Sequence, residues 1–379
     1  MTLGEDSRAK HHQIFEAVHR EIRSGRYPTD RRIPSELEYA RRFGVSRPTV
    51  ARALRDLIAL GLLERRAGSG TYLRPQTVAS SMIFGLIVSG LGNTEILDPI
   101  CTELTRASEA AGYSMLWGGG GDAGREGGAA GGGQETDYSA QRAEDLCRQY
   151  IERRVAGVFF APLELPEDRD AVNRRIVAAL RQAGIPVVLL DRDYIEFPQR
   201  SHLDLVGIDN FAAGALLTEH LIQLGAKKIH FLAKPRYPAT TLLRLAGCRD
   251  TLERHGLELP PAAFHVMDPS TASAAESLLT QDRPEALICS NDLTAALLIR
   301  SLTNLGLRLP ADMRIVGFDD VRYATLLPVP LTTMRQPCRA LGQVAVQMMK
   351  ERCTGSDLPG RQVLLQAELV VRQSCGGRR

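Results

Sequence analysis

The sequence predicts an α/β protein in two parts: a small N-terminal domain of helices closed by a hairpin, and a larger domain built on parallel sheets. Three observations carry that expectation. Two short, well-capped helices meet at a tight turn within the first 60 residues. From Met82 onward, apolar strand-like runs alternate with amphipathic helices. Positive charge is gathered at the N-terminal end.

With 379 residues, the chain is long enough for a domain of about 70 residues and another of roughly 300, each with its own core. A 44% hydrophobic and 24% charged composition is that of a globular protein, and no apolar run reaches the roughly 18 residues of a membrane span. MTLGEDSRAKHHQ has acids and histidines where a secretory signal needs a basic end and an apolar stretch, so a cytoplasmic location is expected. The seven cysteines, an odd number without a C-x-x-C pair, suit a reducing compartment and read as ordinary thiols. Residues 1 to 76 hold 15 Arg and Lys against 9 Asp and Glu, a balance of +6; the whole chain is +3, which leaves −3 for the rest. A basic module ahead of a nearly neutral body suits phosphate binding by one end, although a solvated basic face has the same composition.

Ile14, Phe15, Val18 and Ile22 recur at helical spacing, and Gly25 and Pro28 end that first helix. Ser35 opens S-E-L-E, a capping box with Glu38; the helix it starts runs through Leu37 and Ala40 to Phe43 and stops at Gly44. Ser46 caps the next helix, in which Val50, Leu54 and Leu57 share an inward face while Arg52 and Arg55 point away. Arg47 sits in its first turn, where Pro48 is tolerated. Two helices across a tight turn, the second presenting arginines, have the design of a helix-turn-helix that enters a major groove. LLERRAGSGTYLRP then reads as two strands around Ala67, Gly68, Ser69 and Gly70, a wing with Arg65 and Arg66 beside its tip.

RIPSELEYARRFGVSRPTVARAL at 32–54, followed by G-x-G-T-Y, resembles the GntR family of bacterial regulators over residues 12 to 73. The resemblance implies DNA contacts at Arg47, Ala51 and Gly68. Ala51 departs from the arginine common there, so that contact is missing or falls to Arg52. Ser35, Ser46, Thr49 and Arg52 complete the candidate DNA-binding set.

The second part reads as strands in MIFGLIVS, YSMLWG, VAGVFFAP, PVVLLDRD, DLVGIDN, KKIHFLAK, AFHVMD, EALICSND and MRIVGFDD, with helices to Ala111 and around 138 to 153 among those between. Such sheets are parallel, with ligands at the carboxyl ends of their strands. The polar residues at those ends are Ser89, Arg192 with Asp193, Asp209 with Asn210, Asn291 with Asp292, and Asp319 with Asp320; helix capping is the bland account of each acid. GGGGDAGREGGAAGGGQE at 118–135 reads as a mobile surface loop and lacks the lysine of a phosphate-binding loop, which disfavours nucleotide hydrolysis.

GIDNFAAGALLTEHLIQLGAKKIHFL at 207–232, LRLAGCRD at 243–250, ICSNDLTAALLI at 288–299 and RIVGFDDVRYATLLPVPLTTMRQP at 314–337 resemble the effector domain of the lactose and galactose repressor family, itself similar to periplasmic sugar-binding proteins. The match spans residues 82 to 374. It implies a two-lobed, periplasmic-binding-protein-like domain whose lobes are joined by three crossovers, with an effector between them. Carried over, effector contacts fall on Ser89, Asp209, Arg244 and Asp292, joined by Arg192 and Thr240. Carboxylates and a guanidinium fork suit a polyol, and Tyr237 or Phe318 could cover its apolar face, though core packing explains either aromatic as well. The two resemblances together give the layout of bacterial arabinose repressors, whose ending the ELVVRQS of this chain resembles, while the glycine-rich run and PRYPA at 235–239 depart from that pattern.

The expected organisation is a winged-helix reader over residues 8–74, a linker over 75–81 and an effector-binding and dimerisation domain over 82–379. The implied function is a transcriptional repressor of carbohydrate genes: a homodimer on double-stranded operator DNA, controlled by a small sugar, with no cofactor, metal, membrane or enzymatic activity. Three rivals remain. A transport-type binding protein needs an export signal and leaves the basic head unexplained. A cofactor enzyme needs a Schiff-base lysine, whereas Lys227, Lys228, Lys234 and Lys350 fall at strand edges or in a terminal helix. The same architecture could sense an acid or a nucleobase, or require a co-repressor.

Overall fold

A computed structural model of the protein describes residues 14, 15, 17, 18, 21, 32–59, 63–66, 69–73, 83–88, 96–117, 134–164, 168–196, 198–280, 283–355 and 358–377. The chain divides into two compact units, Met1–Ser81 and Met82–Arg379.

In the first unit, helical residues Ile14 and Val18 are buried against α1 (Glu36–Phe43), α2 (Arg47–Ala59) and the hairpin β1 (Leu63–Arg66) and β2 (Gly70–Leu73). Ile22 lies outside the described residues. The capping box is present: Ser35 Oγ accepts from Glu38 N at 3.3 Å while Ser35 N donates to Glu38 Oε2 at 2.7 Å. These bonds satisfy donors that the first helical turn leaves open. Gly44 ends α1 at φ 62°, a left-handed conformation that costs glycine little. On α2 the buried residues Val50, Ala53, Leu54 and Leu57 follow helical spacing, and Leu63 extends their core into the hairpin. Ile33 N donates to Thr71 O at 3.1 Å and Arg32 bridges Tyr72, so a third short segment joins the wing, which no alternation in the sequence announces.

The second unit holds two six-stranded sheets. The first is built from β3 (Ile83–Val88), β4 (Ser114–Trp117), β5 (Gly157–Ala161), β6 (Val187–Leu190), β7 (Asp204–Ile208) and a late strand, Gln362–Leu365; all pairs are parallel. In β5, Phe159 and Ala161 enter one core and Val158 and Phe160 the other. Helices cover both faces, which explains why the strand is a continuous apolar run instead of an alternation. Those helices include α3 (Leu97–Ala110), α4 (Gln134–Glu152) and α5 (Arg169–Gln182). Because α4 begins at Gln134, the last two residues of the expected loop 118–135 are helical; residues 118–133 lie outside the described residues.

After β7 the chain leaves the first lobe through α6 (Asn210–Gln223), β8 (Ile229–Ala233), α7 (Ala239–Arg254), β9 (Phe264–Val266), α8 (Ala272–Thr280), β10 (Ala286–Cys289), α9 (Asp292–Asn304), β11 (Arg314–Asp319) and β12 (Thr332–Arg335). It returns as α10 (Cys338–Cys353), packed on α3, and as β13 (Gln362–Leu365), then crosses again to β14 (Glu368–Val370). The lobes are thus joined near residues 208–210, 335–338 and 365–368. The second sheet has the order β14-β12-β11-β10-β8-β9. Its β12–β14 pair is antiparallel, a departure from the all-parallel expectation. The strands β12, β13 and β14 were not expected: each is only 3 or 4 residues long and is placed by pairing with β11, β7 and β12.

Asp204 fastens the returning chain to β7. Its fully buried carboxylate accepts from Arg352 Nε at 2.8 Å and Arg352 Nη2 at 2.9 Å, and from Arg361 N at 2.9 Å. Burial raises its pKa, but the bonds from Arg352 and Arg361 outweigh burial and hold it below the ordinary carboxylate value.

Helices α6 and α7 pack backbone to backbone. A Cβ on Gly214 would lie 2.1 Å from the Arg244 carbonyl oxygen, and one on Gly247 would lie 2.0 Å from that of Phe211. Gly214→Ala is therefore expected to destabilise the protein by about 1–3 kcal/mol, measured by urea unfolding, because neither backbone can yield without separating the pair.

Candidate functional site

Two groups of residues bear on function, one in each unit. In the first unit Arg47 opens α2 and donates from Nε to Glu36 Oε2 at 3.0 Å, and Arg65 Nη2 of β1 lies 3.3 Å from Glu36 Oε1. Arg47 and Arg52 are exposed, whereas Thr49 and Ala51 are half-buried. The Ser46 carbonyl accepts the first bonds of α2, from Thr49 N and Val50 N, and its hydroxyl lies 2.8 Å from that of Thr49. Ser35 is spent on the capping box. Gly68 lies outside the described residues. The helix therefore presents an arginine-bearing face to solvent over a sealed apolar back.

In the second unit, two arginine and acid clusters stand at the carboxyl ends of the two sheets. Just past β6, Arg192 donates to Asp191 Oδ2 at 2.6 Å and to the Pro162 carbonyl at 3.1 Å, and is also paired with Glu164. Asp191, which accepts the first of these bonds, sits in left-handed backbone at φ 68°. Asp193, which the sequence coupled with Arg192, faces away and accepts from Ser201 N and Ser201 Oγ, both at 3.0 Å.

In the other cluster, Arg244 of α7 is buried. Its Nε donates to Asn210 Oδ1 at 2.8 Å, its Nη1 to the Ser290 carbonyl at 2.6 Å, and its Nη2 lies 3.7 Å from Asp319 Oδ1. The guanidinium lies 4.5 Å from the Phe318 ring centroid, so that ring is fully buried beneath it. Tyr237 packs edge-on against Phe264.

Asp319, held at φ 114°, ends β11 and accepts from Gln336 Nε2 at 2.8 Å. Burial raises its carboxyl, Arg244 and Gln336 pull it down, and Asp191 and Glu164, from the other lobe, push it up, for a net value of about 6. Two acids in strained left-handed backbone at the ends of two sheets, near enough to repel, mark an arrangement that the rest of the fold must hold in place.

The remaining expected contacts are placed differently. Asp209 caps α6, its Oδ1 accepting from Ala212 N at 2.9 Å. Thr240 is buried in the first turn of α7. Asp292 is fully buried at the start of α9, with Oδ1 accepting from Thr333 Oγ1 at 2.6 Å and Oδ2 from Val321 N at 3.0 Å. Burial and neighbouring Asp319 hold it well above the usual carboxylate range, despite those two bonds. Ser89 lies outside the described residues. The structure thus brings together Glu164, Asp191, Arg192, Arg244 and Asp319. Of these, Glu164 and Asp191 carried no motif, and Asp319 was signalled only as an acid after a strand. Among the described residues no three His, Cys, Asp or Glu side chains gather to hold a metal, and no helix is long and apolar enough to cross a membrane.

Comparison with known proteins agrees with both halves. Residues 10–73 match the bacterial regulatory proteins of the gntR family, and residues 218–375 match the periplasmic binding protein-like domain. An HTH-type transcriptional repressor, PurR, of Haemophilus influenzae is 34% identical over 63% of this chain and 70% of its own length. The chain belongs to the bacterial HTH-type transcriptional regulators. An arabinose metabolism transcriptional repressor of Geobacillus stearothermophilus is 29% identical over 98% of this regulator and 99% of its own chain. Among solved structures, the transcription regulator GntR from Chromobacterium violaceum superposes with a TM-score of 0.60 and 25% identity, covering 78% of the regulator and 100% of that chain. The regulator therefore combines a gntR-type DNA-binding domain with a two-lobed periplasmic-binding-protein-like domain.

The raised Asp319 gives a pH signature. Between an ordinary carboxylate pKa of about 4 and the folded value of about 6, the folded regulator holds this proton more tightly than the unfolded chain does, so its stability falls as pH rises through that window. Asp319→Asn lacks that fall. Urea unfolding is expected to show the variant gaining stability relative to the wild type from about pH 4 to about pH 6, and no further above it.

Proposed function

We propose that the regulator is a cytoplasmic, homodimeric repressor of carbohydrate-utilisation genes, not an enzyme, and that a small sugar bound between the lobes releases it from its operator. The reader is assigned to residues 8–74, the linker to 75–81 and the sensor with its dimer interface to 82–379. The observation that carries this reading is the facing pair of clusters, Arg192 with Glu164 and Asp191, and Arg244 with Asp319. Carboxylates accept from adjacent hydroxyls and guanidinium forks donate to ring and hydroxyl oxygens, which is the recognition chemistry of a polyol. The whole-chain likeness to a repressor of arabinose metabolism supports a sugar as well.

Effector contact is assigned to Arg192, Arg244 and Asp319, and Ser89 and Thr240 are kept as candidates on the family resemblance alone. Asp209 and Asp292 act from behind, by capping α6 and by holding Thr333 and the chain at Val321. Operator contact is assigned to Arg47, Arg52, Ser46, Thr49 and Gly68, with Ser35 fixing α1 and Ala51 keeping the face of α2 low. A ligand moves the lobes only by its difference in affinity for their two arrangements, and a coupling of about 1–3 kcal/mol changes operator affinity roughly 5- to 150-fold.

Calorimetric titration with neutral pentoses and hexoses, and separately with nucleobases, tests the ligand class. Binding of a sugar that lowers operator affinity is expected; a response to nucleobases alone would replace this reading with that of a nucleobase sensor. Arg244→Lys keeps the charge but loses the fork, and is expected to weaken the ligand by about tenfold or more while operator binding persists. Arg47→Ala is expected to weaken binding to the preferred duplex by about 5- to 150-fold. Arg52→Ala should lower affinity on every duplex and reduce the salt slope by about 1. Unchanged affinity in both variants would remove α2 from the interface.

A further inference from the structure

We infer that Arg65, on the wing strand β1, is a specificity-determining residue that presents a second guanidinium to DNA beside Arg47, and that Glu36 holds the two as one reading unit. The inference rests on the reading of α2 as the groove helix and adds a residue outside it.

The hairpin register leads Arg65 to that place. Side chains alternate across a strand, and Leu63 is buried against the helices, so Arg65, two residues on, leaves the strand on the same side. It ends at Glu36, in the first turn of α1, whose Oε1 lies 3.3 Å from Arg65 Nη2 while Oε2 accepts from Arg47 Nε at 3.0 Å. One carboxylate therefore bridges the first residue of α2 and the wing. The Glu36 side chain is only 16% exposed, while those of Arg47 and Arg65 are 67% and 64% exposed. The anion is thus the inner anchor, and both cations face outward.

Glu36 engages Arg47 through Nε, which leaves the two-pronged end of that guanidinium open, the geometry that matches the N7 and O6 acceptors of guanine. One turn further along α2 stands Ala51, which offers no charge, so the neighbouring guanidinium comes from the wing. Two cations on one anion carry a net single positive charge, a poor arrangement for attracting phosphates and a good one for fixing orientation. The pair is therefore suited to base edges over backbone phosphate.

The test uses the full-length protein and two duplexes, one selected by the wild type from a random pool and one with the same composition shuffled, with affinities measured by fluorescence anisotropy across a KCl series. Arg65→Ala is expected to lose about 5- to 150-fold on the selected duplex and little on the shuffled one, and Arg65→Lys to show most of the same loss. Glu36→Gln, which frees one positive charge, is expected to bind the shuffled duplex more tightly and the selected one less tightly. Equal losses on both duplexes with a salt slope smaller by about 1 would make Arg65 a phosphate contact and overturn the inference. So would full rescue by lysine, or no loss at all. Arg47→Ala, run in parallel, separates the two readings: if it fails to weaken the selected complex the groove helix itself is misassigned, whereas a loss there without one in Arg65→Ala removes only Arg65.

Discussion

The arrangement of the second unit depends on one buried guanidinium. Removing a charged group from water is costly unless the charge is paired and hydrogen-bonded. Arg244 meets that demand with groups from separate parts of the chain: Asn210 at the first crossover, the Ser290 carbonyl beyond β10, Asp319 at the end of β11 and the ring of Phe318 beneath. None of these groups can move far without leaving the charge unpaired. The close packing of α6 on α7 through Gly214 and Gly247 places Arg244 within reach of Asn210. A helix pairing made possible by two missing side chains thereby fixes the chemistry at the mouth of two sheets.

The first unit solves a related problem with opposite means. Its core is small, from Ile14 and Val18 through Val50, Leu54 and Leu57 to Leu63, and the order of its ends comes from local hydrogen bonds. The capping box at Ser35 starts α1, Gly44 ends it, and the Ser46 carbonyl starts α2 a few residues later. Each device uses residues within four positions of one another, which is why this unit is readable from the sequence alone. The wing is less so, because the bond from Ile33 to Thr71 and the carboxylate shared between Arg47 and Arg65 join segments that no local pattern connects.

The acids of the second unit show the same division. Asp209 and Asp292 stand in the most recognisable wording, yet one caps a helix and the other is sealed behind β12, since a carboxylate at the start of a helix serves the open amides or a neighbouring strand first. The acids that stand beside the arginines are Glu164, Asp191 and Asp319, from three different strand ends. Asp191 and Asp193 flank Arg192 and are equivalent by composition; only the folded chain brings Asp191 to Arg192 and Asp193 to Ser201.

The sequence by itself determined the two-part plan, the capped helices of the reader, the inward face of α2 and eleven of the fourteen described strands, because hydrophobic periodicity and capping act over a few residues and leave their mark in the order of side chains. Tertiary structure alone decided the three short late strands, the antiparallel edge at β14 and which charges face one another. Those outcomes depend on pairings between residues far apart in the chain, such as Asp204 with Arg352 and Arg244 with Asp319, where burial sets the cost of a charge and only the assembled fold supplies its partner.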